Sequence, residues 1–139
     1  MSNLKPPVTF TIIAVIGLIW NLMGVGAFVS DLMLDPSTVT AEMRELLSRY
    51  PAWTKVPYAI AVIGGAIGAL LLLLKNSLAI QFFTLSLLGI CIQMGHSIFV
   101  ARAMDVYGPG GMIMPALVII IGVFLLLYSR SALAKGWLS

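Results

Sequence analysis

Charge is what this sequence lacks most. Of its 139 residues, 9% are Asp, Glu, Lys or Arg, while 60% are apolar and the mean hydropathy is +1.07. Ordinary globular domains carry roughly a quarter charged residues, so a water-facing surface of the usual kind is excluded. There is one cysteine, Cys91. It excludes an intramolecular disulfide and any CxxC motif, and within an apolar run it reads as a small apolar side chain. There is one histidine, His96. One His and one Cys leave no ligand set for a structural or catalytic metal, and no pair of axial histidines for a haem within one chain. No acid falls inside a long apolar run, so a buried carboxylate relay is missing. P-loop and dinucleotide fingerprints are absent, as is a nucleophile–base pair with a third orienting group. We therefore expect no enzyme, no cofactor and no metal.

The net charge of +3 does not point to nucleic acid. The basic residues stand singly at the ends of apolar runs and form no patch interleaved with aromatics. Headgroup anchoring explains them better.

What is present is four apolar stretches, each about the ~20 residues a helix needs to cross ~30 Å of hydrocarbon. They cover about residues 8–30, 54–74, 77–100 and 112–129. The expected fold is all-α: one domain over residues 1–139, an integral membrane four-helix bundle. Span one is too long for a signal-peptide core and no A-x-A site closes it, so it reads as a retained helix. Only Lys75, Asn76 and Ser77 separate spans two and three, which predicts a tight antiparallel hairpin. A turn-rich YGPGG loop, starting at Tyr107, precedes span four.

The one substantial polar segment is 31–52. Asp35-Pro36 is a helix-start signal. Val39, Met43, Leu46, Leu47 and Tyr50 recur at helical spacing, and Pro51 ends the pattern. Glu45 and Arg49 are an i,i+4 pair in the favourable order. An amphipathic helix over about 36–50 is expected, lying at the membrane interface, with a lid over the bundle mouth as the alternative.

Four spans put both termini on one side. Lys/Arg divide evenly, with Lys5, Lys75, Arg130 and Lys135 facing Arg44, Arg49, Lys55 and Arg102. The acids Asp31, Asp35, Glu42, Glu45 and Asp105 all fall on the second side. The terminal side then has a purely basic flank, which places the termini in the cytoplasm of an inner membrane. Tyr50, Trp53, Tyr58 and Tyr107 would make the outer aromatic belt, Tyr128 and Trp137 the inner one.

Helices in lipid associate through small residues and polar contacts. The packing positions expected on that ground are Gly17, Gly24, Ala61, Gly64, Gly65, Gly68 and Gly89. Span four offers only Ala116 and Gly122 and should pack more peripherally. Counting from the terminal ends, Asn21, Gln93 and His96 come out at comparable depth. Gln93 and His96 share one face at i,i+3. A polar cluster of Asn21, Gln93 and His96, with Trp20 and Ser97 at its edge, is either interhelical hydrogen bonding or a ligand pocket floored by glycines and roofed by the 36–50 helix.

Tyr58-AIAVIGGAIGALLLLLKNSLA-Ile80 combines a Gly-Gly pair, a leucine run, a basic residue at a tight turn and a small-residue entry to the next helix. With four spans and a polar segment after the first, this layout resembles the DoxX-like group of small bacterial membrane proteins. Where that group often has an acid ahead of the Gly-Gly pair and an arginine in span one, this chain has Ala61 and Trp20-Asn21. A narrower likeness is to proteobacterial-type proteins with matching Trp20, Asn21, Gly64, Gly65, Gln93, Met94, His96, Phe99, Pro115 and Ala116, to which sugar transport is loosely attributed. Three function classes are expected: from the residues, a non-enzymatic protein binding a small molecule or lipid in an outward pocket at Trp20, Asn21, Gln93, His96 and Ser97; and, as the resemblance implies, an oligomeric carrier of a small neutral solute such as a sugar, or an accessory subunit of a quinone-linked redox complex. The expected partners are the lipid bilayer and either further copies of the chain or a larger membrane complex.

Overall fold

The computed structural model describes residues 5–102, 108, 110 and 113–139; Asp105 and Tyr107 lie outside them. Every regular element among the described residues is helical. Helix α1 spans Val8–Leu32, α2 Ala41–Ser48, α3 Lys55–Leu73, α4 Ala79–Gly95 and α5 Ile113–Ala134. A π turn, His96–Val100, continues α4, and 3₁₀ turns Pro36–Thr38 and Ala52–Thr54 flank α2. Four of the helices are long and apolar enough to cross a membrane. Their outward faces carry the large apolar side chains, among them Ile16, Leu88, Ile92, Ile120 and Leu127.

The layer order is α1, α3, α4, α5, with α3 and α4 as the central hairpin. Small residues make that order. A Cβ on Gly89 would stand 2.6 Å from the Pro57 carbonyl oxygen and 3.0 Å from the Ala61 nitrogen. Backbone meets backbone there, so no side chain fits. Gly64 lies against Phe82 and Ser86, Gly68 against the Phe83 ring, and Gly65 against Asn21 of α1. Buried Ser86 donates its hydroxyl to the Ala61 carbonyl at 2.5 Å, tying α4 to α3. Gly24 faces Val62, and the Phe28 ring meets the Tyr58 ring at a tilt of 58° with centroids 4.9 Å apart, which completes the α1–α3 seam. Gly17 instead faces Leu125 of α5.

The end that holds both chain termini and the α3–α4 turn is filled. Phe10, Ala14, Leu72, Phe83, Leu125, Ala132 and Leu138 form its core, and Phe10 packs between Tyr128 and Trp137. Two backbone motifs close it. At the end of α3, Asn76 N–H donates to Leu71 and Lys75 N–H to Leu72, with Lys75 at φ 62°. At the end of α5, Trp137 N–H donates to Ala132 and Gly136 N–H to Leu133, with Gly136 at φ 80°. Both are Schellman caps, which need a left-handed residue after the helix. The tail beyond the second cap bonds back to the first turn through Ser139 N–H to Lys75 and Ser77 N–H to Ser139.

Two boundaries differ from the sequence reading. Span four runs past 129 to Ala134, because Ser129 is buried and satisfies its hydroxyl on the Leu126 carbonyl inside the helix. A serine that back-bonds this way does not end a helix. The continuous 36–50 helix is broken in two. Asp35 caps only the 3₁₀ turn, accepting from Ser37 N–H and hydroxyl, and these bonds hold its carboxyl below the usual carboxylate range. Thr40 then caps α2 through Met43 N–H. Two competing caps five residues apart give two short elements, and Arg44 clamps the joint by donating to the Pro36 and Val39 carbonyls. Arg49 does pair with Glu45, at 3.2 Å.

Candidate functional site

A partly open cavity of about 460 Å³ lies between α1 and α5 in the half of the bundle away from the termini. It results from the layer order. The outer helices α1 and α5 meet at the filled end, Gly17 on Leu125 and Phe10 on Tyr128. Further along, the hairpin keeps them apart. The walls are Trp20, Met23, Gly24 and Ala27 from α1, Val62 from α3, Ile90 and Met94 from α4, and Met114, Pro115, Val118, Ile121 and Gly122 from α5. Phe83 and Leu125 form the floor. No charged side chain is among the lining residues. Size and apolar character suit a small-molecule site.

Polar lining groups are few, and most are already engaged. Asn21 donates its amide to the Gly17 carbonyl of its own helix at 2.7 Å. Ser86 donates to Ala61. Ser97 Oγ and Tyr50 Oη share a hydrogen bond of 2.6 Å. Tyr58 lies near the Asp31 carboxylate. Gln93 differs: its Oε1 is buried with no hydrogen-bond partner. Leaving such an acceptor unpaired costs about 1–3 kcal/mol.

The structure divides the five proposed ligand residues. Trp20, Asn21, Gln93 and Ser97 line the cavity, whereas His96 does not. The His96 ring sits between Tyr50, 5.3 Å away, and Trp53, 5.2 Å away edge-on, with Nδ1 buried and unpartnered. It faces the α2 side of α4. Helical positions three apart share a face only loosely, and the π turn that begins at His96 turns the end of the helix further. Asn21 and Gln93 also do not pair. Asn21 meets Gly65 and Ser86, about two turns nearer the termini than Gln93. Equal counts along two helices give equal depth only when the helices start level, and α1 starts about two turns before α4.

The roof is also different. Leu46 of α2 is buried against Ala101, with Met43 and Tyr50 around it, and Arg49 donates to the Ala101 carbonyl at 2.9 Å. Ala101 N–H reaches back to His96 at 2.8 Å, which forms the π turn. The segment is thus clamped onto the end of α4, and no α2 side chain lines the cavity. Sequence reasoning passed over Tyr58 and Ser86 as wall residues. Their signal was weak, since a belt tyrosine and a seam serine are expected in any such hairpin.

Among the described residues no group of three or more His, Cys, Asp or Glu could hold a metal ion. Cys91 is exposed on α4. Compared with protein-family models, with curated proteins and with solved structures, the chain matches none.

Proposed function

We propose that this is a DoxX-like, four-span protein of a bacterial inner membrane, termini in the cytoplasm, that binds a small lipophilic molecule or lipid in the cavity between α1 and α5 and catalyses no reaction. The observation that carries the reading is an uncharged, mostly apolar hollow of about 460 Å³ with Gln93 in its wall. Helices held only by packing would close the hollow. Binding is favoured over passage because the floor residues Phe83 and Leu125 belong to the core that fills the terminal end. On the proposed topology the hollow lies in the outer half of the bilayer and opens between two outer helices, where a lipophile can enter from the side.

Native mass spectrometry of the detergent-purified protein tests this. A co-purified small mass should be present in wild type, lost in Gln93→Leu and kept in His96→Phe, since Gln93 lines the cavity and His96 does not. Ligand-free spectra throughout, with a looser oligomer in Gln93→Leu, would turn the polar positions into helix–helix contacts and end the binding reading.

A further inference from the structure

A second cleft lies at the terminal end of the bundle and shares no residue with the cavity between α1 and α5. It encloses about 510 Å³ between the start of α4 and the end of α5 and is wider open than the first. Ser77, Ile80 and Gln81 line one side, Arg130, Leu133 and Ala134 the other. Each set is spaced i, i+3, i+4 and so occupies one face of one turn. Ile80 and Leu133 are its larger apolar walls, while Ser77, Gln81 and Arg130 carry hydrogen-bond donors.

Those donors are unengaged. Arg44 is bound to the Pro36 and Val39 carbonyls and Arg49 to Glu45 and Ala101, whereas among the described residues no hydrogen bond or ion pair holds Arg130. The side chains of Ser77 and Gln81 have none either. The backbone amides of the turn are already used: Ser77 N–H donates to Ser139, Leu78 N–H to the Asn76 side chain and Ala79 N–H to the Asn76 carbonyl. Charge separates the two ends of the bundle. The described acids Asp31, Asp35, Glu42 and Glu45 lie at the far end, and Lys5, Lys75, Arg130 and Lys135 at this one. Ser139 makes no ion pair with Arg130. No acidic side chain lines the cleft, so a head that carries an ammonium group finds no counter-charge there.

The level is that of lipid headgroups. Lys135 Nζ stands over the Trp137 ring at 4.9 Å just beyond α5, and Trp marks the interface. From the cleft the same helix faces continue toward the middle of the bundle with exposed Leu85 and Leu88 on α4 and Val123 and Leu127 on α5. We propose that, given the four-span membrane reading, this cleft binds an anionic phospholipid. Arg130 donates its fork to the phosphate, with Ser77 and Gln81 donating beside it. The acyl chains leave over Ile80 and Leu133 onto the apolar faces. Basic pockets between spans favour anionic heads for this reason.

Phosphatidylglycerol and phosphatidylcholine with the same acyl chains are matched probes. The full-length protein in detergent is titrated with each at equal concentration, and native mass spectrometry reads the single-adduct peaks. The phosphatidylglycerol adduct should exceed the phosphatidylcholine adduct about tenfold in wild type, equivalent to ~1.4 kcal/mol. In Arg130→Gln the ratio should fall to about twofold, a loss of the size expected of one basic group at an anionic surface. Ala134→Trp fills the cleft with every charge in place and should lower the ratio as far. Lys5→Gln removes a charge from the same end outside the cleft and should leave the ratio unchanged. Equal adducts of the two lipids in wild type would overturn the anionic assignment. A ratio that survives Arg130→Gln would overturn the phosphate contact, and one that survives Ala134→Trp would overturn the cleft as its place. Equal losses in Lys5→Gln and Arg130→Gln would make the preference a property of the whole basic end and overturn the site. Displacement of phosphatidylglycerol by an equal concentration of inorganic phosphate would overturn the lipid as its occupant.

Discussion

The two ends of this bundle are built from the same kinds of residue and differ in what they enclose. At the terminal end, Phe10, Leu72, Phe83 and Leu125 meet across all four long helices, and the space is filled. At the other end, Trp20, Val62, Met94 and Val118 face one another across a hollow of about 460 Å³. Hydrophobicity does not distinguish the two. Closure does. Small residues bring α3 within backbone contact of α4 along their length, but α1 and α5 are the outer members of the layer and are drawn together only where Gly17 admits Leu125 and Phe10 reaches Tyr128 and Trp137. One wedge between α1 and α5, in the half away from the termini, is the result.

The comparison breaks most directly at Phe10, which is fully buried. Phe10→Ala removes the ring that joins α1 to α5 and should cost about 3–5 kcal/mol, read as a fall in the melting temperature of the purified protein. A cost below about 1 kcal/mol would mean that the terminal end is no better packed than the hollow one. Gly89→Ala asks a second question: whether the hairpin is tight beside the hollow too. Its Cβ would meet backbone atoms of Pro57 and Ala61, which cannot swing aside as a side chain can. About 1–3 kcal/mol of destabilisation is expected. Gly26→Ala is the control, having nothing within 4 Å of its Cβ, and should lie at or slightly above wild type.

How much of this was legible in the sequence depends on the period of each signal. The spans were, because twenty apolar residues are unambiguous. The α3–α4 seam was, because Gly64, Gly65, Gly68 and Gly89 have no other reason to recur in a helix. The break of the 36–50 segment was not. Thr40 and Asp35 are both good caps, and nothing local says that both are used. The separation of His96 from Gln93 was not either, since a π turn sets it, and that turn rests on Ala101 being held by Leu46 and Arg49, roughly fifty positions away in the chain. The hollow itself depends on what α5 fails to touch. No pattern within a single helix encodes a missing contact.

The turn that joins the central helices offers a smaller test of the filled end. Lys75 adopts φ 62°, a left-handed conformation that costs a residue with a Cβ roughly 1–2 kcal/mol. Lys75→Gly keeps the backbone bonds to Leu72 and from Ser139 and should raise stability by about 1 kcal/mol. The side chain is exposed at the turn, so little is lost with it. A lower melting temperature would show that the Lys75 charge matters more to this end than the relieved strain does.

The smallest change in stability is expected where the largest side chain is added. Val118 lines the hollow from α5 and is only partly buried. Inserting a phenyl ring into a packed core forces neighbours off their rotamers and costs about 1–3 kcal/mol. Into free space it forces nothing, and it gains contacts. Val118→Phe should therefore melt within about 0.5 kcal/mol of wild type. The same ring placed at Ala14, fully buried in the terminal core, should cost several times more. If the two substitutions are equally damaging, the hollow closes in the folded protein and the two ends are alike. If Val118→Phe is tolerated while Ala14→Phe is not, the difference between the ends is one of packing density, and the empty half is a built feature of a chain that had apolar residues enough to fill it.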